Sequence, residues 1–206
     1  MKAFLEKYNS LKYLLYFFIA YMIGFVILEN HQSSRLIITD SWIDQYIPFN
    51  EYFVIPYVLW FVFIALGFAY FVFIDQSGIK RTYFYLFLGM SLSLLIYAIL
   101  PTGQNLRVHL PNDNIFQCLV SFIYSVDSPT NVCPSIHVYN SVMMCVSLLK
   151  SPRIQKSSWL CAGIVILAVL ICMSTAMIKQ HAFIDIVFAL ILAIIIYNIG
   201  KRKFDY

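Results

Sequence analysis

Three side chains in the second half of the chain have types and spacings that suit group transfer: His137, His181 and Asp185. His181 and Asp185 are four residues apart, so on a helix they share a face, one turn from each other. A carboxylate placed there can hold the imidazole by one ring nitrogen and leave the other nitrogen as a nucleophile. His137 stands behind Pro134 and Ser135, and proline suits the first turn of a helix. The positive end of a helix makes an imidazolium there a readier proton donor to a departing oxygen. Both histidines open apolar runs, so two helix N-termini with free N–H groups can converge on one anion.

The elements that must position these groups are membrane helices. Of the 206 residues 61% are hydrophobic and 12% charged, with a mean hydropathy of +0.78. A water-soluble fold has too little interior to hide that much apolar surface. A membrane span takes roughly 20 mainly apolar residues. The runs 13–28, 53–74, 82–100, 157–178 and 182–200 meet or approach that length, and the shorter run 136–149 supplies a sixth. Continuous apolarity excludes barrel strands, which alternate. The expectation is an all-α integral membrane six-helix bundle, one domain over residues 1–206, with short interfacial helices in its outer loops. The first run follows a basic start, as a signal peptide would. What comes after it is Glu29, Asn30, His31 and Gln32 rather than a small-residue cleavage site, so a retained helix is expected.

Six spans divide the cations unequally. Lys2, Lys7, Lys12, Lys80, Arg81, Lys150, Arg153, Lys156, Lys201, Arg202 and Lys203 fall on one side; Arg35, Arg107 and Lys179 fall on the other. Lysine and arginine accumulate on the cytoplasmic side. Both termini are therefore expected to be cytoplasmic in a multi-pass cell-membrane protein, with the histidines at the extracytoplasmic face. The net charge of +4 reads as topology and anionic-lipid contact, and no basic domain suggests nucleic acid.

In the outer loop 29–52, Asp40 is a candidate cap for a turn carrying Trp42, Ile43, Tyr46 and Ile47, which reads as an amphipathic anchor in the headgroup region or a lid. In the loop 101–135, Asp113 is a candidate cap for a helix with Ile115, Phe116, Leu119, Val120 and Ile123 on one face, ended by the run 127–131. The turn around 178–181 is short enough to make the last two spans antiparallel neighbours. His31 and His109 read as surface residues, and Cys145, Cys161 and Cys172 as small packing residues within apolar runs. Cys118 and Cys133 lie on the outer side, where an oxidising compartment permits a bridge between them.

Other chemistries have less support in the residues. Zinc asks for three or four converging ligands, and the outer side offers no spaced pair such as His-x-x-x-His, so no metal is expected. Ser135 lacks the Gly-x-Ser-x-Gly setting of a serine nucleophile. A proton-relay transporter would place its His and Asp near the midplane rather than at one face.

The run Pro-Ser-Ile-His at 134–137, followed by Ser174, His181 and Asp185, resembles the second and third motifs of the type 2 phosphatidic acid phosphatase superfamily. Those motifs are Pro-Ser-x-His, and Ser-Arg, five residues, His, three residues, Asp. The resemblance covers roughly the last half of the chain and extends to helix count and to the long loop before the second motif. It implies that His181 attacks phosphorus, Asp185 orients it and His137 protonates the leaving alkoxide. Arg107, Lys179 and Ser135 would bind the phosphoryl oxygens, with Gln104 or Asn105 as further ligands, and no cofactor is needed. The implied substrate is a lipid phosphate or pyrophosphate in the outer leaflet, of phosphatidic acid, phosphatidylglycerol phosphate or undecaprenyl pyrophosphate type.

The chain departs from the family's first motif, where Leu100 takes the place of a lysine and Val108 that of a proline, and from its third, where Thr175 takes the place of the arginine. Lys179, four residues on, is one helical turn nearer His181 and can bring an ammonium to similar space if the helix continues. Lys-x-His is similar to the branch containing inositol phosphorylceramide and sphingomyelin synthases, in which an acceptor alcohol replaces water. The missing cations also leave open a non-enzymatic membrane protein on a degenerate scaffold.

Overall fold

The computed structural model describes residues 2–30 and 35–204, with side chains from residue 9 onward; His31 lies outside the described residues. In chain order the elements are α1 (Lys2–Asn30), β1 (Ile37–Ile38), α2 (Val54–Phe73), α3 (Ile79–Ile99), β2 (Thr102–Gly103), α4 (Ile115–Val126), α5 (Ile136–Leu149), α6 (Pro152–Gln155), α7 (Ser158–Met177) and α8 (Phe183–Phe204). Single 3-10 turns occupy Trp42–Gln45, Glu51–Phe53 and Gln76–Gly78. The architecture is nearly all-α. Five helices, α1, α2, α3, α7 and α8, are long and apolar enough to cross a membrane.

The sixth expected span differs from these five in length. α5 has 14 residues, a rise of about 21 Å, against roughly 30 Å of hydrocarbon. Its place in the bundle is nonetheless central: it packs against α2, α3, α7 and α8 at once. Val138, Tyr139, Met143 and Met144 on it have no exposed surface. Tyr139 lies on Gly89 of α3, where any Cβ would collide with the ring, so a glycine sets the α3–α5 approach. Small residues at crossings bring backbones close where no hydrophobic drive separates helix from lipid. α1 is peripheral; of its described side chains only Tyr21 is buried, and it meets α3 through Phe17 stacked on Phe87 at 3.8 Å.

Three loop segments join over the histidine end of the bundle. β1 pairs in parallel with β2, Ile37 opposite Thr102 and Ile38 opposite Gly103, and Gly103 also bridges to Thr130. The caps fall one residue beyond those expected from sequence. Ser41 caps the turn at Trp42–Gln45 together with Asp44, while Asp40 accepts from the Asn105 N–H at 3.1 Å. Asn114, not Asp113, caps α4, accepting from the Phe116 and Gln117 N–H groups at 3.0 Å each. Both shifts have one cause: Asp and a neighbouring Ser or Asn are nearly equal as caps, and tertiary contacts choose between them.

The expected apolar face of α4 is divided. Phe116, Val120, Ile123 and Tyr124 pack on Val54, Tyr57 and Ile178, whereas Ile115 and Leu119 are exposed with Phe122 and Val126. Cys118 and Cys133 are free thiols, one exposed and one buried, so the bridge open to them in sequence is not formed.

Candidate functional site

The site is assembled from the first turn of α5 and the turn between α7 and α8. At α5 the Ser135 hydroxyl accepts from the Val138 N–H at 3.4 Å, leaving the N–H groups of Ile136 and His137 as first-turn donors outside the cap. The Ser135 N–H donates to the Asp185 carbonyl at 3.1 Å, which ties the start of α5 directly to α8. Tyr97 of α3 donates its hydroxyl to the Pro134 carbonyl. The α5 entrance is thus held from two sides.

The α7–α8 turn closes tightly. The N–H groups of Gln180 and His181 both donate to the Thr175 carbonyl, at 2.9 and 3.0 Å, and Lys179 sits at φ 56°. That left-handed backbone is uncommon for a residue with a Cβ, so α7 does not continue as the sequence reading of Lys179 requires. The Asp185 carboxylate reaches back to the Ala182 N–H at 2.8 Å, the carboxylate half of a capping box. The same Oδ2 lies 3.4 Å from His181 Nδ1. One carboxylate therefore both starts α8 and faces the imidazole.

The two imidazoles meet. The His137 and His181 ring centroids are 5.9 Å apart, with planes at 56°. A nucleophile about 3–3.5 Å from phosphorus and a proton donor about 2.6–3.2 Å from the leaving oxygen require nitrogens on the order of 6–8 Å apart. With 5.9 Å between their centroids the two rings are close enough to face one small group between them. Tyr57 stacks on His137 at 4.6 Å and Trp60 lies 4.4 Å away, so two α2 aromatics fix the ring's orientation. His137 Nε2 is buried and has no hydrogen-bond partner.

The expected anion ligands are placed less simply. Lys179 donates its ammonium to the Asp44 carbonyl at 2.9 Å and to the Ile47 carbonyl at 2.5 Å, so it clasps the loop of Trp42 and Tyr46. Burial lowers the affinity of this ammonium for its proton, and the Asp44 charge opposes that. Asp44 completes the clasp by accepting from the Phe183 N–H at 2.7 Å. Gln104 donates to the Lys179 carbonyl at 3.1 Å, and Asn105 is held through its N–H by Asp40. Arg107 donates to the carbonyls of Tyr124 at 2.9 Å and of Asp127, and to Gln180 Oε1 at 3.1 Å. Arg107 Nε is buried and unpaired. Of the side-chain cations expected to bind phosphate, Arg107 is the one with a buried donor uncommitted.

Replacing Lys179 with methionine leaves two carbonyls without their charged donor. Hydrogen bonds to charged groups are worth roughly 1.5–3 kcal/mol, so a loss of about 2 kcal/mol is expected, measured by denaturation in detergent. A phosphate ligand alone would instead raise KM and leave stability unchanged.

Sequence reasoning missed two acids. Asp44 carried no signal beyond its place in a turn. Asp127 read as a helix breaker, and it does end α4; its carboxylate also accepts from Gln180 Nε2 at 2.6 Å and acts electrostatically on His181 and Arg107. Burial pushes the Asp127 carboxyl above its usual value, Glu29 adds to the rise, and Gln180, His181 and Arg107 pull against it. The folded state then holds this proton more tightly than the unfolded chain. The associated stability is full below the ordinary carboxylate pKa and is lost as pH rises through the raised value. Asp127→Asn keeps the acceptor for Gln180 and is expected to match the parent in acid and exceed it in unfolding temperature above the raised pKa. A pH series of thermal melts checks this.

Among the described residues no group of three or more His, Cys, Asp or Glu side chains could hold a metal ion. The buried Cys133 thiol is pushed up to about 12, first by burial and then by the Asp185 charge, which makes it a poor nucleophile or ligand. Compared with family models, curated proteins and solved structures, the chain matches none.

Proposed function

We propose that this protein is a membrane lipid phosphatase of the type 2 phosphatidic acid phosphatase kind, working through a phosphohistidine. The observation that carries the reading is the 5.9 Å approach of His137 and His181 with Asp185 at 3.4 Å from His181 Nδ1. Nδ1 on the carboxylate side leaves Nε2 for attack. His181 Nε2 bonds to phosphorus as the bond to the lipid oxygen breaks, and His137 gives its proton to that oxygen. Water then gives a proton to His137 and its oxygen bonds to phosphorus, the P–N bond breaks and phosphate leaves. Developing charge on the phosphoryl oxygens is met by the α5 N–H groups and by Arg107.

In this reading α5 is the sixth crossing, its ends lined by protein rather than lipid, where irregular backbone is tolerated. The uneven cations support both termini in the cytoplasm and the histidines outside. The exposed apolar side of α4, with Trp42 and Tyr46, lies in the outer headgroup region and meets the lipid substrate there.

A second reading replaces water with a lipid alcohol, making the protein a phosphotransferase. It is favoured by Thr175 standing where a phosphatase of the family has its arginine, and by Lys179 two residues before His181. The test uses purified protein with labelled phosphatidic acid, phosphatidylglycerol phosphate and a polyprenyl pyrophosphate. An acid-labile, alkali-stable protein label supports the histidine route. Free phosphate without added alcohol supports the hydrolase, and label carried onto an added lipid alcohol as its phosphate ester, with none freed as phosphate, supports the transferase. Absence of label and turnover with every substrate overturns both.

A further inference from the structure

Gln180 bridges two charged side chains. Its Nε2 donates to Asp127 Oδ2 at 2.6 Å, and its Oε1 accepts from Arg107 Nη2 at 3.1 Å. The residue is 2% exposed, so water does not stand in for either partner. A carboxylate only accepts and a guanidinium only donates, whereas a carboxamide does both. Glutamate here would set a like charge against Asp127, and lysine would set one against Arg107. An apolar side chain would leave both charged groups short of a partner.

The bridge springs from the turn that presents the nucleophile. Gln180 precedes His181 in the chain, and both N–H groups donate to the Thr175 carbonyl, at 2.9 and 3.0 Å. Arg107 has a second tie to that turn. It donates to the Tyr124 carbonyl at 2.9 Å and lies 4.6 Å from the Tyr124 ring, and the Tyr124 hydroxyl donates to the Ile178 carbonyl at 2.6 Å. The acceptors that hold Arg107 are the carbonyls of Tyr124 and Asp127 and the Gln180 amide oxygen, all uncharged. Gln180 meanwhile engages the Asp127 carboxylate, whose charge attracts the guanidinium. A guanidinium held by neutral acceptors keeps its charge for an anion.

We infer that Gln180 is a positioning residue: its carboxamide holds the Arg107 guanidinium in fixed register with His181 and engages the Asp127 carboxylate, so that Arg107 meets the phosphoryl group that His181 receives. Its part in the reaction rests on the phosphohistidine reading above. Its effect on anion binding is measurable without turnover.

The probe is inorganic phosphate, titrated by calorimetry into the purified full chain in detergent. Arg107→Met and Gln180→Met are compared alone and together. Loss of a hydrogen bond to a charged group implies a weakening of phosphate binding by about tenfold or more in each single variant. The double variant should lose no more than Arg107→Met alone, because Gln180 acts through the guanidinium. A merely structural glutamine costs the same factor in both backgrounds, and that additivity overturns the inference. Gln180→Asn keeps a polar side chain but is one methylene too short to reach both partners. It should reproduce the loss at an unfolding temperature near that of the parent, and an unweakened affinity in it overturns the inference. Equal affinity in the parent and in Arg107→Met, a comparison that needs no change at Gln180, overturns it as well. With a lipid phosphate, kcat/KM should fall by the same factor while His181 still takes the label. Additive losses with that label intact sink the positioning role and leave the reaction standing; coupled losses with no label do the reverse.

Discussion

Replacing His181 with alanine is expected to lower lipid phosphate release by about 10⁴-fold or more, the scale seen when a covalent nucleophile is removed from a machine that works as a unit. The phosphoryl label on the protein should vanish with it. The substitution is informative because the fold depends little on the imidazole. α8 is started by Asp185 on the Ala182 N–H and by Asp44 on the Phe183 N–H, and the turn is closed by the His181 backbone on Thr175. None of these bonds uses the ring. An unfolding temperature near that of the parent, with turnover gone, is the expected pair of results. Unchanged turnover removes His181 as the nucleophile, and no turnover of any lipid phosphate by the parent or the variant leaves the non-enzymatic scaffold as the description of the protein.

The second large effect is at His137, and it should depend on the leaving group. An acid that protonates the departing oxygen contributes roughly 10²–10⁴-fold. His137→Gln is therefore expected to cost about that factor in kcat with a lipid phosphomonoester, whose alkoxide is a poor leaving group. With an aryl phosphate such as p-nitrophenyl phosphate, which leaves without protonation, the first step should be nearly unaffected and the phosphoenzyme should accumulate, because its opening still needs a base. A burst of nitrophenol followed by slow turnover is the signature. Equal losses with both substrates point to a positioning role for His137, such as packing the Tyr57 and Trp60 rings it touches.

Some of this site was legible in sequence because local spacing reports on a helix. His181 and Asp185 at four residues, and Pro134, Ser135 and His137 before an apolar run, follow from helical period and N-terminal chemistry. The structure then brings them within reach of each other. The turn before α8 was not legible: three residues between two apolar runs can continue a helix or close it, and Lys179 at positive φ closes it. Its ammonium consequently goes to the Asp44 and Ile47 carbonyls, a partnership between positions more than 130 residues apart. The caps at Ser41 and Asn114 were misplaced by a single residue for a related reason, since two adjacent good caps are separated by small local energies and long-range contacts tip the balance.

The amino-acid order alone determined that most of this chain is apolar helix of membrane-crossing length, that its cations are unevenly divided among the loops, and that two histidines and an aspartate stand at helix entrances. These follow from composition and period, which are properties of short windows. Only the tertiary structure decided that α5, too short by length to count as a span, is the centre of the bundle; that Asp44 and Asp127 join the site; and that Asn140 Oδ1 and the Trp60 indole N–H are buried without partners. Each of these is a contact or an absence of contact between residues far apart in the chain, and such pairings are set by how the helices pack and how the outer loops fold over them.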